Sequence, residues 1–174
     1  MRFIGLAAIL MAMSCAASAQ TYWLMAQDGG HTWCGYANAV EFTTDAERLK
    51  PVDSVKVTYS ADKLAEFIYQ LEPESGDWIV VDTYTPSGDA MILRRTNLLT
   101  RESLQIVQET SIRAGKAEPF RVVGTQALGG KASKAFSDGD LPAVKVITTL
   151  SDQPFLAVAA DMRKQSLPKL CKMF

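Results

Sequence analysis

The chain has 174 residues, 48% of them hydrophobic and 21% charged, with a formal net charge of −1. This near balance lacks the basic footprint that tracks phosphates, so no nucleic-acid partner is expected. A single histidine and three cysteines leave little material for a transition-metal site, and no cofactor is expected.

Residues 1–19 have the order of a secretory leader: Arg2, an apolar run over 3–13, then small residues ending Ala17-Ser18-Ala19, which predicts cleavage before Gln20. The run falls short of the roughly 20 residues that span a bilayer, and no second apolar stretch follows, so no transmembrane segment is expected. A competing reading takes Cys15 as a lipid-anchor site; it is disfavoured by Ala12, which stands where such leaders usually carry leucine. The remaining residues, 20–174, are read as one globular domain long enough to bury a sizeable core, periplasmic or secreted, with the charge moved from −1 to −2 by loss of Arg2. Lys131, Lys134 and Lys164 are scattered, as solvated charges are.

Cys34 and Cys171 survive processing, and an even count in an oxidising compartment predicts a disulfide between them. Such a bridge closes a loop of about 138 residues, for which chain entropy gives stabilisation on the order of 5 kcal/mol as an upper figure.

In chain order, Asp28-Gly29-Gly30 is a turn between strands at 21–27 and around Trp33-Cys34-Gly35-Tyr36. Residues 52–59 are β-branched and alternating, which predicts a strand. Leu64, Phe67, Ile68 and Leu71 fall at i, i+3, i+4 and i+7, with Ser60 as N-cap, Asp62 in the first turn and Pro73 beyond. That spacing predicts a helix over 61–71, with a buried strand through Phe67-Ile68-Tyr69 as the alternative. Turns at 74–77 and 86–89 frame strands at 78–84 and 90–95, which are expected to form an antiparallel hairpin. Further strands are predicted at 104–112, 119–124 and 143–150, with a surface loop at 129–140. Residues 154–165 read as a helix begun by Asp152, or as a strand through Phe155-Leu156-Ala157-Val158. The fold class expected is mainly β or α+β: an antiparallel sheet, as a sandwich or a curved, partly closed barrel, with one or two helices and one disulfide.

Chemistry has few places to sit. His31 has Asp28 nearby but no G-x-S-x-G elbow, and reads as a surface histidine. Asp138-Gly139-Asp140 lacks the other acidic positions of a calcium loop, and Gly129-Gly130-Lys131 lacks the remainder of a phosphate-binding motif. Glu72, Glu74 and Asp77 share one polar turn.

The hairpin is more specific. With Ser87-Gly88 as its tip, Asp82 lies opposite Leu93 and diagonal to Arg95, on a face shared with Trp78, Val80, Tyr84 and Met91. A carboxylate among apolar neighbours needs a partner, and Arg95 or Arg94 is the expected one. The cluster Trp78, Asp82, Tyr84, Arg94 and Arg95 is then either a charge pair that satisfies a strand or the lining of a ligand pocket. The absence of a catalytic constellation favours a binding or envelope accessory role, with a small molecule, peptide or envelope protein as partner, over catalysis. The alternatives are a small periplasmic hydrolase using His31 or carboxylates gathered by the fold, and an oligomeric structural component.

Overall fold

The computed structural model describes residues 19–49, 53–71, 77–101, 104–127 and 141–174. The leader with Cys15, the turn residues Glu72 and Glu74, and the 129–140 loop with its lysines and Asp138 and Asp140 lie outside the described residues.

Among the described residues ten strands make one antiparallel sheet: β1 (Gln20–Gln27), β2 (Thr32–Tyr36), β3 (Ser54–Ser60), β4 (Lys63–Leu71), β5 (Trp78–Ser87), β6 (Ala90–Leu99), β7 (Leu104–Arg113), β8 (Lys116–Ala117), β9 (Arg121–Ala127) and β10 (Lys169–Met173). They lie in the order β10-β2-β1-β3-β4-β5-β6-β7-β8, with β9 also on β7. Among the described residues the sheet is open, neither closed into a barrel nor split into a sandwich. The described residues also form two α-helices, α1 (Ala39–Leu49) and α2 (Pro154–Gln165).

The core lies on the sheet face beneath α2. Alternation along β1, β3 and β4 puts Tyr22, Leu24, Val55, Val57 and Phe67 on that inner face. Phe155, Val158, Ala159 and Met162, at i, i+3, i+4 and i+7 of α2, pack onto them. Gly35 makes room for the helix, because a Cβ there would meet Met162 Sδ at 2.4 Å and Val158 Cγ1 at 3.0 Å. Pro154 stands in the first turn of α2, but Gln153 rather than Asp152 is the N-cap, and its side chain makes no cap bond.

On the opposite face, Phe42 and Ala46 of α1 pack against Met25, Cys34 and Tyr36. Asn38 opens this helix, its Oδ1 accepting from Val40 N at 2.8 Å. Cys171 of β10 pairs directly with Cys34 of β2, and the two form a disulfide with their Cα atoms 4.0 Å apart. Lys169 Nζ reaches Asp45 at 2.5 Å and lies over the Tyr36 ring, so β10 is also tied to α1.

Three expectations are corrected. The 61–71 stretch is β4, not a helix: Ala61 and Asp62, both at positive φ, form a two-residue hairpin tip that returns the chain against β3. The register shifts at Thr58/Tyr59, opposite Leu64–Glu66, leaving Ala65 as the extra residue. That bulge puts Leu64 and Phe67, three apart, toward the same core and gives a strand the spacing of a helix. In the β5–β6 hairpin Ser87 pairs with Ala90, so the tip is Gly88-Asp89 with Gly88 at φ +62°; Asp82 therefore faces Arg95 directly, and Leu93 faces Tyr84. Residues 143–150 form no strand and join no ladder.

Candidate functional site

Strands β4, β5 and β6 carry one polar row across the inner face, Tyr69, Asp82 and Arg95, in direct cross-strand register. Asp82 and Arg95 are 1% and 4% exposed, so neither charge is tolerable without the other. Their contact is bidentate: Arg95 Nε donates to Asp82 Oδ1 and Nη2 to Oδ2, both at 2.7 Å. The Phe120 ring lies 5.0 Å from the guanidinium carbon.

The same pair anchors the segment between β9 and α2. Arg95 Nη1 donates to the Val144 carbonyl at 3.1 Å. The Tyr84 hydroxyl donates to Asp82 Oδ2 at 3.4 Å and accepts from Ile147 N at 3.0 Å. Its ring stacks on Phe67, with centroids 4.4 Å apart and planes 9° from parallel. Stacking fixes the ring and the hydroxyl links the ion pair to the overlying chain.

Between that chain and the sheet is a cavity of about 500 Å³, within the usual range for small-ligand sites. The sheet contributes Tyr69, Asp82 and Tyr84; the overlying chain contributes six consecutive residues from Val144 to Thr149, with Asp152 and Gln153 beyond them. Burial pushes both tyrosine hydroxyls well above their ordinary value, with nearby Asp82 adding to the effect at Tyr84 and Asp53 at Tyr69. Both remain neutral groups that donate and accept hydrogen bonds.

Of the residues singled out from sequence, Asp82, Tyr84 and Arg95 come together. Trp78 lies on the same face further along β5, packed with Leu99, Leu104, Ile106 and Leu141 instead of lining the cavity. Arg94 is on the opposite, exposed face, in register with Thr83 and Glu109. His31 is exposed at the short turn between β1 and β2 and does not line the cavity. Asp77 pairs with Arg101 at 2.7 Å on the surface. Sequence reasoning missed Tyr69, because the stretch around it read as a helix, and missed the cavity's second wall, because 143–150 read as a strand in the sheet. Among the described residues no group of three or more His, Cys, Asp or Glu side chains is placed to hold a metal. No helix among them is long and apolar enough to cross a membrane.

No protein-family model, no curated protein and no solved structure matches this chain.

Proposed function

We propose that this chain is an exported domain, periplasmic or secreted, that binds a ligand in the cavity between the sheet and residues 144–153 without transforming it. Export rests on the leader-like order of residues 1–19 and is in keeping with the Cys34–Cys171 disulfide. The single observation that supports binding is the cavity itself, whose polar wall is fixed by the Asp82–Arg95 pair and the stacked Tyr84. A wall held by packing and paired charge presents its hydrogen-bonding groups in one geometry before the ligand arrives, which lowers the ordering cost of binding.

The test is nuclear magnetic resonance of ¹⁵N-labelled protein over residues 20–174, titrated with pools of neutral disaccharides, amino acids and short peptides. Binding is expected to move the amide signals of Tyr69, Tyr84, Ile147 and Thr148 while leaving those of α1 and β10 in place. Shifts confined to other parts of the sheet, or none from any pool, would overturn the reading. For export, mass spectrometry of protein isolated from the envelope is expected to find Gln20 at the N-terminus; an acylated Cys15 would replace the secreted form with an anchored one, and an intact Met1 form would refute export.

A further inference from the structure

We infer that Gln20 becomes an N-terminal pyroglutamate that closes β1 to aminopeptidases, an inference that rests on export with cleavage after Ala19. Strand β1 begins at Gln20 itself, so removal of the leader leaves no tail ahead of the sheet. Gln20 is exposed, and it is paired with Tyr59 of β3. On the other side the β2 ladder ends with Tyr36 opposite Trp23, so among the described residues Gln20, Thr21 and Tyr22 are flanked by β3 alone. The reacting nitrogen and the side-chain amide of Gln20 therefore sit together at the exposed mouth of the strand.

Cleavage turns the backbone nitrogen of Gln20 from an unreactive amide into an α-amine, of which on the order of one in ten is uncharged at neutral pH. That amine attacks Cδ, the carbonyl carbon of the residue's own side chain. The bond from N to Cδ forms and the bond from Cδ to Nε2 breaks; the released nitrogen takes a proton from the amine and leaves as ammonia. The product is a lactam ring, and no oxidant, reductant or second substrate enters. With it goes the terminal ammonium that an aminopeptidase grips. Chain ends are where proteolysis concentrates, and here little chain separates the end from the core. The Thr21 and Thr58 hydroxyls lie 3.4 Å apart, and the next residue, Tyr22, is buried with its ring edge-on to Tyr59, centroids 6.2 Å apart. Trimming of two residues would put a core side chain at the terminus of the strand on which both β2 and β3 are built.

The test is made on protein recovered from the envelope after expression of the full chain, with amines dimethylated before digestion so that no ring can form during handling. Mass spectrometry is expected to find the first peptide starting at residue 20, lighter by one ammonia and unlabelled at its terminus. A Gln20→Asn variant, whose shorter amide cannot close a stable ring on its own amine, is expected to be labelled there and to lose residues to an aminopeptidase that leaves the parent intact. A labelled Gln20 of full mass overturns the cyclisation and leaves export standing. An acylated Cys15 or an intact Met1 overturns it as well, because the nitrogen then stays in a peptide bond, and the intact Met1 refutes export too. Equal digestion of the two proteins, or equal resistance, overturns the protective role.

Discussion

Gly35 lies directly beneath Met162: a Cβ at that position would stand 2.4 Å from the sulfur and 3.0 Å from Val158 Cγ1, so helix α2 rests on bare backbone of β2. Met162 and Val158 are fully buried and cannot swing into solvent. Gly35→Ala is therefore expected to push α2 off the sheet and cost about 1–3 kcal/mol, as overpacking does. Urea unfolding measures it, and a variant as stable as the parent would show that the helix packs elsewhere.

Asp82 and Arg95 should behave as a unit. Removing one charge strands the other in the core, so Asp82→Asn and Arg95→Met should each destabilise by roughly 3–5 kcal/mol. The double variant is expected to lose less than the sum of the two, and a double-mutant cycle reads the difference. Additive losses would mean that the pair is not coupled.

All five tyrosines, Tyr22, Tyr36, Tyr59, Tyr69 and Tyr84, have hydroxyls pushed above their ordinary value, in every case chiefly by burial. In the unfolded chain they ionise near pH 10, before they do in the folded one. Their contribution to stability is thus complete below about pH 10 and is lost as pH rises beyond it. Absorbance at 295 nm should show phenolate forming together with unfolding; gradual ionisation with the fold intact at pH 10 would contradict the burial.

Two hairpin tips use alanine at positive φ, Ala61 at +46° before Asp62 and Ala114 at +47° before Gly115. Left-handed backbone costs alanine on the order of 1 kcal/mol, and asparagine adopts it more readily. Ala61→Asn and Ala114→Asn should each raise the thermal midpoint, the second by creating the Asn-Gly pair favoured in two-residue tips. Unchanged or lower midpoints would refute this account of the turns.

These tips also explain what was legible from sequence. Asp28-Gly29-Gly30 and Gly88 carry glycine where φ is positive, and both turns stand out at once. Ala61-Asp62 carries no such mark, and with the Ala65 bulge behind it the apolar spacing of β4 imitates a helix. Helix α1 escaped notice because it buries no residue fully and includes Thr43 and Thr44, poor helix formers whose hydroxyls bond back to Ala39 and Val40. That Asp82 needs a cation followed from cost, with Arg95 or Arg94 as the partner; the register that singles out Arg95 did not. The cavity's second wall did not follow, since whether 143–150 joins the sheet or lies across it is decided by Tyr84 and Arg95, far away in the chain.

Loss of the disulfide should act locally. Replacing both Cys34 and Cys171 by serine is expected to cost about 2–5 kcal/mol. Faster hydrogen exchange should appear at 169–174 and 32–36, with β5 to β7 still protected. Uniform acceleration across the sheet would show that β10 supports the whole fold.

The return of β10 to β2 sets the order in which this protein can be finished. From β4 to β8 each strand docks beside the one made just before it, so that part can zip up as the polypeptide emerges from a ribosome or a translocation pore. The outer rim of β2 has to wait for 169–174, which are synthesised after the other nine strands of the described residues. A chain broken off before Lys169 would keep most of the meander and yet have an uncovered rim and an unmatched thiol at Cys34.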